Sequence, residues 1–416
     1  MVDCLNHKPQ GRTMSSESSI HTRLQHLGTA PCDAQHPVAP VGLPAIRTST
    51  VRFNTVEDLE NTYKRKSRGE RLVTYGRMGM ETHAALEDIF CALEGGQRAF
   101  LASSGLGAIS MALLSLLSAG DHLLAADCVY GPVYHLNNTV LQRMGIEATF
   151  TSAKDLQALE QHVKPNTKIL YVEAPGSLLM QMLDMPALAE FARRHGLILV
   201  TDNTWGSGYA YQPLALGADV SIVAGTKYVA GHSDLMLGAV IANDPELIKT
   251  IDTNQYAMGF SISADDAWLA IRGVRTLPVR MEQHARNALA VCQWLAQQSV
   301  VQQIFHPAWP QDAGHDLWKR DCTGSNGLLS VALALSAEQM RTFVNALTLF
   351  GIGYSWGGYE SLVQWVDTGA LRSHAYFGDH AKGDGDAQVA RLHIGLESVD
   401  DLIADLQQAM GKAGVV

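Results

Sequence analysis

Ser221–Asp234 reads SIVAGTKYVAGHSD. An apolar run closes on a small-residue turn, and Lys227 follows with apolar neighbours on both sides. Only 17% of the 416 residues are charged, so an ammonium in such a setting needs a reason. The run Asp219–Gly225 predicts a buried strand, and Lys227 stands just past its carboxyl end. Open α/β sheets bind their ligands at that edge. Outward snorkelling of a long cationic side chain is the plain alternative for such a lysine.

Upstream, LILVTDNTW (Leu197–Trp205) predicts another apolar strand with Asp202 at its carboxyl end, 25 positions before Lys227. A turn or N-cap role would also suit this aspartate. Further upstream, FLASSGLGAIS (Phe100–Ser110) runs from strand through a glycine turn into a helix. Exposed N–H groups and the positive dipole end at a helix start favour phosphate, which makes Gly105 and Leu106 a candidate cradle. Gly105-x-Gly107 also begins a dinucleotide fingerprint, but Ser110 stands where its last glycine belongs, and a bare strand-to-helix turn would look the same. The three features read together discriminate. Pyridoxal phosphate needs a phosphate anchor, a carboxylate at its pyridine nitrogen and an amine to form a Schiff base. A dinucleotide site would leave Asp202 and Lys227 without a task.

The rest of the chain sets the frame. Short apolar runs alternate with helical segments from Gln97 to about Asn243, which predicts a mainly parallel sheet covered on both faces. Past about residue 275 the pattern turns to α+β. We therefore divide the chain into an N-terminal extended arm (1–75), a large cofactor-binding domain (76–275) and a smaller C-terminal domain (276–416), with the first dozen or so residues expected to be disordered. The net charge of −10 argues against nucleic acid or an anionic membrane as partner. No run reaches the ~18 apolar residues of a membrane span, and no secretory signal opens the chain. The six cysteines are scattered, without metal-ligand spacing, which predicts reduced thiols, a cytoplasmic location and no metal.

The motifs VTYGRMG, CVYGP, TDNTW, AGTKYVAGHSD, YSWGGYESL and RLHIGLESVDDLIADL resemble the cystathionine β-lyase branch of the Cys/Met-metabolism pyridoxal-phosphate enzymes. The resemblance spans about residues 40–412. It implies the aspartate-aminotransferase-like fold (type I) and a homotetramer of active-site-sharing dimers. By this resemblance Lys227 is the Schiff-base lysine and Asp202 the pyridinium partner. Gly105, Leu106 and Thr226 bind the phosphate, and Tyr130 stacks on the ring. Tyr75 and Arg77 reach the phosphate of the neighbouring subunit. Arg391 grips the substrate carboxylate, with Ser355 and Trp356 in the substrate pocket. The implied reaction is β-elimination of cystathionine or a related cysteine thioether, with γ-acting relatives on the same fold as the alternative and a non-catalytic binding protein as a more distant one. The chain departs from the family at three positions. Ala224 replaces the serine of S-x-T-K, Met78 stands where β-lyases carry a second arginine, and His135 stands where an acid is expected.

Overall fold

A computed structural model describes residues 18–34, 36–371 and 387–415. Strands β1 (Arg98–Ala102), β2 (His122–Ala126), β3 (Glu147–Thr151), β4 (Thr167–Glu173), β5 (Ile198–Asp202), β6 (Val220–Val223) and β7 (Gly238–Ala242) form one sheet, in the order β1-β7-β6-β5-β4-β2-β3. β2, β6 and β7 are buried at every position. A strand covered by helices on both faces has no solvent side, so its apolar residues run on instead of alternating. The pairs β2–β3, β2–β4, β4–β5 and β5–β6 are parallel, and β7 lies antiparallel between β6 and β1. The fold is that expected: a type I α/β architecture with a large, mainly parallel sheet and a smaller sheet domain.

The flanking helices are set by local signals. Met185–His195 starts where the Asp184 carboxylate accepts from the Ala187 N–H at 3.2 Å, has Pro186 in its first turn, and stops at Gly196, whose φ is 64°. Its buried stripe is Met185, Leu188, Ala189, Phe191 and Ala192. That is one face at helical spacing, and each large apolar member stabilises by about 1.5–3 kcal/mol at most.

The second sheet contains β8 (Val301–Phe305), β9 (Leu328–Leu333), β10 (Gly351–Ile352), β11 (Leu362–Val366) and β12 (Gln388–His393), in the order β10-β11-β12-β9-β8. Helices Ala337–Ala346 and Val399–Lys412 bury Met340, Phe343, Leu402 and Leu406 in its core. Helix Leu277–Leu295 serves both units. Leu277 and Met281 belong to the large core, whereas Ala288, Val291, Cys292 and Leu295 belong to the small one. Residue 275 lies just ahead of this shared helix.

The arm differs from the extended segment expected. It carries helices Ile20–His26 and Val56–Lys66, and Leu24 is fully buried in the large core. The second helix has a capping box, in which Thr55 and Asp58 each accept from the other's backbone N–H. A T-x-x-D signal of that kind is readable from the sequence, and Val56, Leu59 and Tyr63 follow it at helical spacing. The first dozen residues lie outside the described ones.

The topology positions a site. Glu173 of β4 and Asp202 of β5 are register partners at the carboxyl ends of adjacent parallel strands. β6, next in the sheet, ends at Val223 and runs directly into the Lys227 turn.

Candidate active site

Lys227 is held from both sides of its turn. The Ala224 N–H donates to Thr204 Oγ1 at 2.9 Å, which ties the turn to the segment after β5. The Lys227 N–H donates to the Ala224 carbonyl at 3.1 Å, and the Gly231 N–H donates to the Lys227 carbonyl at 2.8 Å. Gly225 is required there, since a Cβ would come within 2.6 Å of the Leu237 side chain. The amine reaches across the domains: Nζ donates to Ser355 Oγ at 2.5 Å and stands 5.4 Å from the centre of the Trp356 ring. Ser355 has φ 85°, a region costly for a side chain, so the surrounding structure must impose it. Gly357 follows at φ 88° and packs on the Lys227 backbone, where a Cβ would sit 3.0 Å from Lys227 Cα.

Burial lowers the Lys227 pKa to about 8, Arg391 adds repulsion, and Asp202 partly opposes both. A lysine shifted in this way is neutral far more often near neutrality than an ordinary lysine, as a nucleophile and base requires. Asp202 is raised by burial, while hydrogen bonding from Thr204, whose N–H donates to Oδ1 at 2.9 Å, favours its ionised form. Arg391 lies on β12 and is lowered by burial to about 10, with Tyr130 and Glu173 opposing that shift. Its Nη2 donates to the Ser355 carbonyl at 3.4 Å, so one guanidinium touches the same residue that receives the lysine.

Gly105 and Leu106 open helix Gly105–Leu116 behind the N-cap Ser104. The Ser104 hydroxyl accepts from the Gly107 N–H at 3.0 Å. The N–H groups of Gly105 and Leu106 have no acceptor within the helix. Gly105 packs on Ala224, where a Cβ would come within 2.5 Å of the alanine methyl. Position 224 therefore borders the cradle, and Ala224 places a methyl where the S-x-T-K pattern places a hydroxyl. The Thr226 hydroxyl donates to the Leu237 carbonyl at 3.1 Å and accepts from the Leu237 N–H at 2.9 Å. Holding an anion would require it to release that carbonyl. Tyr130 is the N-cap residue of helix Gly131–Leu136 and is 44% exposed.

The remaining expected residues lie elsewhere on the chain. Tyr75 is exposed, and Arg77 donates to the Tyr256 carbonyl at 3.1 Å with its guanidinium 5.0 Å from that ring's centre. Arg77 and Met78 line a cavity with His83, Gln255, Phe260 and Ile262, none of which belongs to the Lys227 constellation. His135 is exposed on helix Gly131–Leu136.

Two participants were not anticipated. Thr204 bonds both Asp202 and the lysine turn. Glu173 accepts from the Tyr130 N–H at 2.6 Å. Its signal was present in the sequence: like Asp202, it is an acid closing an apolar strand.

The set fits pyridoxal phosphate on three counts: two unpartnered N–H groups at a helix start, a buried carboxylate across the strand ends, and a lysine with a depressed pKa. The chain also matches the family described as Cys/Met metabolism PLP-dependent enzyme over residues 26–411. It belongs to that family. Among its relatives, the cystathionine beta-lyase of Bordetella avium is 61% identical over 400 residues, covering 96% of this chain and 99% of the relative. The cystathionine beta-lyase of Escherichia coli K12 is 36% identical, with 95% and 99% coverage. A solved cystathionine gamma-lyase from Lactobacillus plantarum, complexed with L-serine, superposes with a TM-score of 0.84 at 30% identity, covering 96% of this chain and all of that one. As a member of the Cys/Met-metabolism enzymes, the protein is a carbon–sulfur lyase whose cofactor is pyridoxal 5′-phosphate.

Proposed function

We propose that the protein cleaves the Cβ–S bond of L-cystathionine, and of smaller cysteine thioethers, to a thiol, pyruvate and ammonia. With cystathionine the thiol is homocysteine. The observation that carries this reading is the Lys227 amine, pinned between the Ser355 hydroxyl and the Trp356 ring and electrostatically coupled to Asp202 and Arg391.

Bound pyridoxal phosphate supplies a carbonyl for the substrate amine and an electron sink for the Cα–H bond. Lys227, Asp202, Tyr130, Gly105 and Leu106 would hold it, with Tyr75 and Arg77 from a second copy, and Thr226 would join them once its hydroxyl releases the Leu237 carbonyl. The chain's own groups do the rest. Arg391 takes the substrate carboxylate in a charge-assisted fork and so fixes which Cα bond faces Lys227. The neutral Lys227 amine accepts the Cα proton, and the resulting ammonium can deliver it to the departing sulfur. Ser355 orients Nζ between these two positions, and the Trp356 ring keeps water from its flank. Asp202 would supply the carboxylate for the cofactor's ring nitrogen and so favour the electron sink.

The assembly we propose is a cytoplasmic homotetramer of active-site-sharing dimers. Met78 and His135 stand where a strict β-lyase would carry charges for the distal amino-acid end of cystathionine. Discrimination against S-alkyl cysteines should therefore be relaxed by roughly tenfold. The test is a panel of L-cystathionine, S-methylcysteine and cystine assayed in parallel for pyruvate and for α-ketobutyrate. Pyruvate as the product from cystathionine is expected; α-ketobutyrate as its main keto acid would assign the protein to the γ-acting relatives instead.

A further inference from the structure

Glu173 is the acid at this site without an assigned task. It closes β4 directly opposite Asp202, and both side chains emerge at the same edge of the sheet. Its Oε2 accepts the Tyr130 backbone N–H at 2.6 Å. Tyr130 is the N-cap of a short helix whose own first turn gives it no side-chain cap. That N–H precedes the helix and has no helical partner, so a carboxyl oxygen from the neighbouring strand decides where the residue sits. A second link comes from the same segment, where the Cys128 thiol approaches the Glu173 carbonyl at 3.7 Å. The segment Cys128–Tyr130 is therefore fastened to the end of β4 through both the backbone and the side chain of one residue.

We propose that Glu173 is a positioning residue of the active site, and that its carboxyl group sets the Tyr130 ring against the cofactor by clamping the Tyr130 N–H. The proposal rests on the cofactor site described above. Other charged groups around Glu173 agree with it. Asp202 is its register partner on β5, and the positive charge of Arg391 on β12 is felt at Glu173 and partly opposes the rise of its pKa. Burial, reinforced by Asp202, pushes Glu173 well above the usual carboxylate range. Two neighbouring buried carboxyl groups do not readily both ionise, which favours the protonated form of Glu173. A protonated carboxyl still offers an acceptor oxygen to the Tyr130 N–H, so the clamp does not depend on charge.

The experiment compares Glu173→Ala, Glu173→Gln and Glu173→Met in wild-type and Tyr130→Ala backgrounds, using the holoenzyme. The readouts are pyridoxal phosphate affinity from visible absorbance and the visible circular dichroism of the bound cofactor. Glu173→Ala should weaken cofactor binding by about tenfold, the worth of one well-buried hydrogen bond, and should cut the dichroic band. Glu173→Gln keeps an acceptor oxygen and should stay within about threefold. Glu173→Met keeps the length without an acceptor and should follow Ala, which covers the case in which Ala does not fold. In the Tyr130→Ala background, removing Glu173 should cost less than about twofold, because no ring is left to position. Equal losses in both backgrounds, or a Glu173→Ala protein with wild-type affinity and dichroism, would overturn the proposal. A wild-type protein that fails to bind pyridoxal phosphate would instead overturn the site on which the proposal rests.

Discussion

Replacing Glu94 by glutamine should stabilise the protein, and the gain should grow with pH. Glu94 ends helix Glu81–Glu94 with no exposed surface. Its carboxyl accepts from Asn203 Nδ2 at 2.9 and 3.0 Å and from the Ser221 hydroxyl at 2.8 Å, and no cation is among these partners. Burial, aided by Asp202 and opposed by those hydrogen bonds, lifts its pKa from 4.5 to about 8. An acid whose folded pKa is raised binds more protons folded than unfolded. Its contribution therefore costs nothing well below 4.5 and turns increasingly unfavourable up to about pH 8. At about 1.4 kcal/mol per pH unit, the difference between roughly pH 5 and pH 8 comes to about 3 kcal/mol. Glutamine keeps the length and an acceptor oxygen and cannot ionise. Melting midpoints of wild type and Glu94→Gln, taken at fixed protein concentration and scan rate, should separate by several degrees more near pH 8 than near pH 5. A difference that is flat with pH, or that reverses sign, would show that Glu94 is ionised at no cost in the folded chain and that the argument from burial is wrong.

Arg391→Ala should raise the substrate KM by roughly 10–150-fold while cofactor affinity changes by less than about threefold, because a bidentate charge-assisted pair is worth about 1.5–3 kcal/mol. Separate titrations of substrate and pyridoxal phosphate check this, and equal losses would make the residue structural. Mixing inactive Arg77→Ala and inactive Lys227→Ala protomers should restore roughly a quarter of wild-type activity, since half of the dimers are hybrids and each holds one intact site. Hybrids that reassemble and stay inactive would place Arg77 in its own subunit's site.

The reach of the sequence can be traced through particular residues. Lys227 and Asp202 were legible because each is a charge at the carboxyl end of an apolar strand, a local pattern that burial alone does not explain. Glu173 ends its strand in the same way, yet its meaning depends on the register of β4 with β5 and on the path of the chain before Tyr130, and neither is encoded locally. Ser355 meets Lys227 across 128 residues, so only family resemblance could bring them together in advance. The short strand β10 holds two exposed residues and offers no periodicity to read. Helix Ile20–His26 buries Leu24 with Ile20 and Leu27 packed beside it, a stripe at i, i+4 and i+7 only two turns long and easily missed among polar neighbours.

Thr226 shows a further limit. Its identity within GTK invites a phosphate contact, but its hydroxyl closes a two-way pair with the Leu237 backbone and thereby fastens the lysine turn to the chain leading into β7. Gly225 packs on the same Leu237 side chain. The turn is thus held at Thr204 on one flank and at Leu237 on the other, and the pair of attachments leaves the lysine side chain as the element that projects toward Ser355. The residue types of this turn, read alone, are chemistry. Placed between two strand ends, the same residues are first the framework that aims one amine, and the depressed pKa of Lys227 follows from where that framework puts it.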